Sequence, residues 1–213
     1  MALMEPEELN NDLLPYDIGK TSPDILRDIF RTDSYQGTTA GMSGGYTQGN
    51  LAVIPESYAL DFSRFCQRNP KSCPIVGVSD TGNPLMFTLG QNIDIRTDIP
   101  SYNVYRNGSL DSAIPNIKNL WNTDSVAFVI GCSFSFEEAL TQAGVPLRHQ
   151  ELGRIVPMYE TNINNIKSGP FGGNMIVSMR PMSVADSIRA SAITARFPHT
   201  HGMPVHIGAP EEI

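Results

Sequence analysis

Apolar residues recur along the chain at two spacings, one typical of amphipathic helices and the other of strands. Residues 1–22 show neither spacing, and we expect them to form a tail. Helical spacing behind a capping residue or a proline predicts helices at 23–30, 55–69, 135–144 and 183–195. Short apolar or alternating runs predict strands at 51–54, 74–78, 85–89, 102–105, 126–130, 155–159, 175–179 and 205–207.

Two of these elements carry packing expectations that lead to a fold class. In the helix 55–69, Tyr58, Phe62 and Phe65 recur at i, i+4 and i+7, which predicts that they face the core. The run 126–130 is apolar without alternation, as expected of a strand covered on both faces. Strands that alternate with helices indicate α/β layering, and the irregular stretch 79–122 argues against one plain doubly wound sheet.

Composition and charge narrow the class of function. The 213 residues include 15 Lys and Arg against 22 Asp and Glu, a formal charge of −7, which disfavours a nucleic-acid partner. Three cysteines without regular spacing indicate neither a disulfide framework nor a structural zinc site. No apolar run reaches the roughly 18 residues of a membrane span, and the first residues lack a secretory pattern. We therefore expect a cytoplasmic protein that does not bind a membrane.

The turn at 131–138 is the strongest local candidate for a binding site. Ser135 and Glu138 match a capping box, which predicts that a helix begins directly after the buried strand. Such a helix start presents unpaired N–H groups to an anion, and the Ser133 hydroxyl would add a donor. The alternative is that Ser135 and Glu138 only cap the helix.

Two further residues of this turn could take part in catalysis. Glu137 is not needed for capping, so it is either a general acid/base or a solvated carboxylate of the first helical turn. Cys132 could be a nucleophile, because a helix N-terminus lowers a thiol pKa. The reading we favour for Cys132 is a small buried residue that closes the strand, since the sequence shows no partner histidine.

Histidines and arginines elsewhere in the chain are weaker candidates. His199, His201 and His206 could be neighbouring metal ligands, but their spacing fits no standard zinc pattern, and we favour loop histidines. Arginines just beyond predicted element ends could clamp a carboxylate or lie on the surface; these are Arg148, Arg180 and Arg196.

Six stretches together resemble the hydro-lyase family that includes the D-glutamate cyclases. The stretches, in family order, are GYTQGNL at 45–51, FCQRNPK at 65–71, RTDIP at 96–100, AFVIGCSFSFEEAL at 127–140, VSMRP at 177–181 and GMPVHIG at 202–208. The resemblance covers nearly everything from residue 30 onward. It departs in two places: Gly49 stands where members commonly have Ala, and the chain stops at Ile213 where the family continues for some tens of residues.

The resemblance implies an α+β fold with a three-layer αβα body and a smaller two-layer α/β part. We place the main part at 23–130 plus 196–213, with the C-terminal end of the family domain missing, and the smaller part at 131–195. The implied activity is closure of D-glutamate to 5-oxo-D-proline with loss of water, helped by Mn²⁺. The residues themselves assign no metal ligand and no certain cofactor.

Residue chemistry and the resemblance lead to one assignment of roles. Lactam formation needs a proton carrier and groups that hold two carboxylates. The catalytic candidates are Glu137, His206 and Cys132, and the substrate-binding candidates are Ser133, Ser135, Arg148, Arg180 and Asn50. The expected partner is a small-molecule carboxylate, and a homo-oligomer is left open. The alternatives are a non-catalytic module that binds an acidic metabolite and a dehydratase of another amino or hydroxy acid.

Overall fold

The computed structural model describes residues 17–213, so most of the predicted tail 1–22 lies outside the described residues. This part of the chain is mixed α+β, which confirms the predicted class. The helices are α1 Pro23–Phe30, α2 Glu56–Arg68, α3 Phe134–Gln142, α4 Arg148–Glu151 and α5 Val184–Thr194. The strands are β1 Gly49–Pro55, β2 Ile75–Val78, β3 Tyr102–Arg106, β4 Ser109–Ile114, β5 Ser125–Gly131, β6 Met158–Asn164 and β7 Asn174–Ser178.

The strands form one three-stranded sheet and two hairpins. β5 lies in the centre of the sheet between β1 and β2, while β3 pairs with β4 and β6 with β7. Every pair of these strands is antiparallel, although the alternation of strands and helices suggested α/β layering. The register of β1 and β5 runs without interruption from Gly49 opposite Gly131 to Pro55 opposite Ser125.

The two faces of the sheet are covered by different kinds of structure. On one face, the Phe128 ring meets Phe62 of α2 edge-on, with the ring centroids 4.9 Å apart. On the other face, Ala127 is fully buried against Met86 and Ile95 from an irregular segment. β5 is therefore covered on both faces, as its unbroken apolar run predicts.

The irregular segment corrects the strand predicted at 85–89. This part of the chain forms turns with a single bridge between Leu85 and Asp94. Met86 packs on the sheet and is 2 % exposed, whereas Phe87 is 70 % exposed. Pro84 and Gly90 flank the segment and keep its backbone from extending as a strand.

The predicted buried face of α2 is partly wrong. Phe65 is buried and Phe62 is half-buried between Phe128 and Phe171, but Tyr58 is 47 % exposed. The Tyr58 ring touches Phe171 edge-on with the centroids 6.4 Å apart, at the border of this aromatic group. The first turn of α2 thus projects beyond the sheet that covers its later turns.

Two further strand assignments differ between sequence and structure. The strand predicted at 205–207 is wrong, because this segment is irregular and Val205 and Ile207 are largely exposed. β4 was not predicted, although Asn107 and Gly108, both with positive φ, form the tight turn that joins it to β3. An Asn-Gly pair is a strong hairpin signal. The polar residues of β4 interrupt its apolar pattern, so the pattern does not indicate a strand there.

The end of β5 is held against the C-terminal part of the chain. A side chain at Gly131 would place its Cβ 1.9 Å from the carbonyl oxygen of His199, in the 3-10 turn Pro198–Thr200. This contact fixes where the chain turns into α3. Among residues 17–213, no helix is both long and apolar enough to cross a membrane.

Candidate active site

A buried cluster of polar side chains surrounds Glu137 in the first turn of α3. Glu137 is 4 % exposed and His149, in α4, is 7 % exposed. Glu137 Oε1 lies 2.5 Å from an Arg180 terminal nitrogen, which donates to it, and 3.0 Å from His149 Nε2. Glu137 Oε2 accepts a hydrogen bond of 2.9 Å from Gln150 Nε2. The cluster therefore joins α3, α4 and the segment after β7.

Arg180 ties the end of β7 to the start of α3. Its guanidinium donates to the hydroxyl of Ser178 at 2.8 Å and to that of Ser133 at 3.1 Å. It also lies over the ring of Phe136, with Cζ 5.3 Å from the centroid. The buried Nε of Arg180 has no hydrogen-bond partner among the described residues. Arg180 therefore pairs with Glu137 through a terminal nitrogen, while its Nε remains a donor without a partner among the described residues.

The partners of Glu137 keep its carboxyl group ionised. Burial alone would raise the pKa of Glu137, but the hydrogen bond with His149 and the charge of Arg180 outweigh burial and lower it. A carboxylate can only accept hydrogen bonds, so His149 Nε2 must carry the proton in their contact. Glu137 is consequently a fixed negative charge at neutral pH.

One side of this cluster opens into a pocket of about 280 Å³. The pocket lies between the glycine-rich loop before β1 and the helices α3 and α4. The loop residues that line it are Ala40, Gly41, Met42, Ser43, Gly44, Gly45, Tyr46 and Gln48. The other lining residues are Ile18, Phe134, Glu137, Glu138, Thr141, His149, Gln150 and Arg154. Negative and positive side chains therefore line one pocket.

The glycine-rich loop is bound closely to α3. The Gln48 N–H donates to the Ser135 hydroxyl at 2.8 Å, and Met42 is buried in the cluster that packs on α1. A Cβ at Gly44 would lie 3.2 Å from the Glu138 carboxyl group, so only glycine allows this approach without displacing Glu138. Gly45 has a φ of +85°, which favours glycine as well.

The structure corrects the predicted capping box. The N-cap of α3 is Ser133, so Ser135 lies inside the first turn and bonds to the loop instead. Glu138 accepts a hydrogen bond from Gln142 at 2.8 Å. The Ser135 and Phe136 N–H groups already donate to the carbonyls of Cys132 and Ser133. Because the chain turns earlier than the motif suggests, these two N–H groups are not available to an anion. Of residues 131–138, those that line the pocket are Phe134, Glu137 and Glu138.

Cys132 and Asn50 lie next to each other at the end of the sheet. Burial raises the pKa of Cys132, and the negative charge of Glu137 adds to this, while hydrogen bonds from Phe134 and Asn50 oppose it. The thiol is therefore held in its neutral form. Neither residue lines the pocket.

Arg148 and His206 are not brought to the cluster. The Arg148 side chain is 58 % exposed and pairs with Glu151 at 2.9 Å, one turn along α4. His206 Nε2 lies 2.9 Å from the carbonyl oxygen of Ala209, a local contact. His149, Gln150 and Arg154 were not selected from the sequence, because nothing in their local pattern links them to a carboxylate twelve or more positions earlier.

The donor set at this site does not fit a metal ion. Within the described part of the chain, no three or more His, Cys, Asp or Glu side chains are grouped so that they could hold one. Glu137 and His149 bond to each other, and the neighbouring Arg180 is itself a cation. The histidines 199, 201 and 206 form no such group either. A role for Mn²⁺ stays a prediction.

Known proteins match the chain across this cluster. The sequence model described as D-glutamate cyclase matches residues 126–213, which include Glu137, His149 and Arg180. A curated protein of Burkholderia multivorans, named "Putative hydro-lyase", is 53 % identical over 192 residues, covering 90 % of this chain and 74 % of that protein. A relative of the same name from Ruegeria pomeroyi is 53 % identical over 196 residues, covering 92 % and 71 %. Another, from Verminephrobacter eiseniae, is 54 % identical over 184 residues, covering 86 % and 67 %.

Proposed function

The chain belongs to the hydro-lyase family that includes the D-glutamate cyclases, and we propose that it converts D-glutamate to 5-oxo-D-proline with loss of water. The reaction takes place in the pocket beside Glu137. The observation that carries this proposal is a buried ion pair, Glu137 with Arg180, whose carboxylate lines a pocket together with a second cation, Arg154.

The charges around the pocket match those of an amino dicarboxylic acid. D-glutamate brings one ammonium and two carboxylates. Glu137 and Glu138 attract the ammonium, and Arg154, whose side chain is exposed, attracts a carboxylate. A neutral or purely apolar substrate has no charges that complement these side chains.

Ring closure also needs the two ends of one molecule held close together. The amine must approach the side-chain carboxyl carbon, and a pocket that fixes a folded substrate converts this encounter into a favourable step. The glycine-rich loop supplies the wall opposite α3, with Gly44 lying close to Glu138.

The test is product detection with a panel of acids. The protein is incubated with D-glutamate, L-glutamate and further amino and hydroxy acids, each with and without Mn²⁺, and products are analysed by mass spectrometry. We expect 5-oxoproline from D-glutamate. A dehydrated product from another acid would instead assign a different hydro-lyase reaction to the same pocket.

Binding measurements separate an enzyme from a non-catalytic module. Saturable heat of D-glutamate binding without any 5-oxoproline would show a binding protein and overturn the proposed activity. Arg154→Gln should weaken D-glutamate binding roughly tenfold or more, the scale of one charge-assisted hydrogen bond. The matched control is Arg106→Gln, because Arg106 is exposed on the β3–β4 hairpin and should leave binding unchanged.

A further inference from the structure

His149 bonds to the fixed charge of Glu137, and both residues line the pocket. Its Nε2 is occupied by Glu137 Oε1 at 3.0 Å, while its Nδ1 makes no hydrogen bond to any residue of the described range 17–213. His149 is also one of the residues that line the pocket. One ring nitrogen is therefore anchored and the other is available to a bound molecule.

We propose that His149 is the proton-transfer group of this pocket and that Glu137 is the residue that positions it. This inference rests on the function proposed above, and it assigns the proton transfer to a different residue from those the sequence suggested. Glu137 accepts from His149 Nε2, which leaves Nδ1 as the nitrogen that takes up and releases a proton.

The proton balance of the reaction suits a histidine. Closing glutamate to 5-oxoproline forms one N–C bond and breaks one C–O bond, and no electron acceptor is needed. The ammonium loses two protons in becoming the ring amide, and the departing carboxylate oxygen gains two in leaving as water. A single group that accepts a proton from nitrogen and returns it to oxygen can therefore serve both halves.

Glu137 is poorly suited to carry those protons itself. Its two oxygens already accept hydrogen bonds from Arg180, His149 and Gln150. A carboxylate that accepts hydrogen bonds from three donors stays deprotonated, so it has no proton to give to a substrate. It does, however, balance the positive charge that forms on His149 when Nδ1 is protonated.

The surroundings of His149 hold the ring in one orientation. The His149 carbonyl accepts from the Arg154 N–H at 2.8 Å, which closes the turn after α4. The neighbouring Gln150 side chain reaches the same carboxylate from the other oxygen. Within the described residues, the ring is therefore held by its backbone and by the hydrogen bond to Glu137.

The central experiment compares His149→Gln with the wild type on D-glutamate. Gln can still donate to Glu137 but cannot move a proton, so we expect kcat to fall about 100-fold or more with KM little changed. His199→Gln is the matched control, because His199 is exposed and lies outside the pocket lining, and it should retain wild-type kcat. His149→Gln with more than about a tenth of the wild-type kcat would overturn the proposal.

Chemical rescue provides a readout that a structural role would not move. His149→Ala should lose activity to a similar extent, and added imidazole should restore a measurable part of kcat by entering the vacated space. A folded His149→Ala protein that binds D-glutamate but is not rescued by imidazole contradicts the proton-transfer role.

A double-mutant cycle tests the positioning role of Glu137. If Glu137 acts through His149, then Glu137→Gln should lower kcat in the wild type but add little to His149→Gln. Additive losses would overturn the positioning role. Absence of any D-glutamate turnover by the wild type would overturn the proposed function, and the role of His149 with it, whereas an active wild type beside an equally active His149→Gln overturns the role of His149 alone.

Discussion

A terminal nitrogen of Arg180 lies 2.5 Å from Glu137 Oε1, although the two residues are 43 positions apart in the chain. Both side chains are largely buried, with Arg180 11 % and Glu137 5 % exposed. This ion pair locks the segment after β7 onto the first turn of α3. Together with the hydrogen bond from His149, it lowers the pKa of Glu137 and keeps this carboxyl group ionised.

Removing the cation from this pair should destabilise the fold. In Arg180→Met the Glu137 carboxylate stays buried without its counter-charge, so we expect the free energy of unfolding to fall by about 3–5 kcal/mol. Urea unfolding at neutral pH measures the loss. Arg196→Met is the control, since Arg196 is exposed and should change stability by less than about 0.5 kcal/mol. Equal losses in the two variants would mean that the pair does not hold the structure.

The three cysteines should differ in their reactivity toward alkylating agents. A hydrogen bond from Cys66 lowers the pKa of Cys73, although burial opposes it, whereas burial raises the pKa of Cys132. Because the thiolate is the reactive form, iodoacetamide should modify Cys73 before Cys132. Peptide mapping after timed labelling of the folded protein gives the order. Faster labelling of Cys132 would instead support the interpretation that Cys132 is a nucleophile, which its raised pKa does not favour.

A side chain at Gly131 should disrupt the contact between β5 and the C-terminal part of the chain. Its Cβ would lie 1.9 Å from the His199 carbonyl oxygen, which is backbone and cannot rotate away. We expect Gly131→Ala to lower the free energy of unfolding by about 3 kcal/mol or more. Gly19→Ala is the control, because its Cβ would have ordinary contacts of 3.5 Å or more. Thermal unfolding of both variants measures the loss of stability. A Gly131→Ala protein as stable as wild type would refute the contact.

His201 should make the fold less stable in mild acid. Burial lowers the pKa of His201 below its usual 6.5, and the charges of Lys71 and Arg180 add to this, while hydrogen bonds to Lys71 and Gly131 oppose it. Below about pH 6.5 the unfolded chain therefore binds a proton that the folded chain does not. The free energy of unfolding should fall as the pH drops from about 7.5 through 6.5, until the folded-state pKa is reached.

The measurement for His201 compares two proteins across that range. His201→Asn tolerates the positive φ of 78° at this position but removes the titrating group. Denaturant unfolding of both proteins between about pH 7.5 and pH 6 should show a smaller pH dependence in the variant. Parallel curves for the two proteins would mean that His201 does not bind fewer protons in the folded state.

Local sequence signals predicted many elements well because their causes are local. Ser183 caps α5 by accepting from the Asp186 N–H, and Pro55 precedes α2, as their positions suggested. Gly144, with a φ of +71°, follows the end of α3. Such features depend on a few neighbouring residues, so the sequence alone was sufficient to predict them.

Predictions that depended on what covers an element were less accurate. The apolar content of 85–89 and 205–207 is similar to that of true strands, yet neither segment finds a strand partner beyond the bridge at Leu85. Tyr58 shares the helical spacing of Phe65, but the sheet does not extend far enough to cover it. Periodicity shows which residues could be buried, whereas the neighbouring elements determine which are.

Some residues of the candidate site could be predicted from the sequence, and others could be found only in the structure. The sequence by itself pointed to the turn 131–138 and to Glu137 and Arg180, because charged residues next to predicted strand ends are visible in the chain. It gave no reason to choose His149 over the other three histidines, or Arg154 over Arg148. Only the tertiary structure brings α4 against α3, since the antiparallel sheet and its packing decide which distant residues meet. Hydrogen bonds reach about 3 Å, so this packing, rather than any spacing in the sequence, determines which histidine can bond to Glu137.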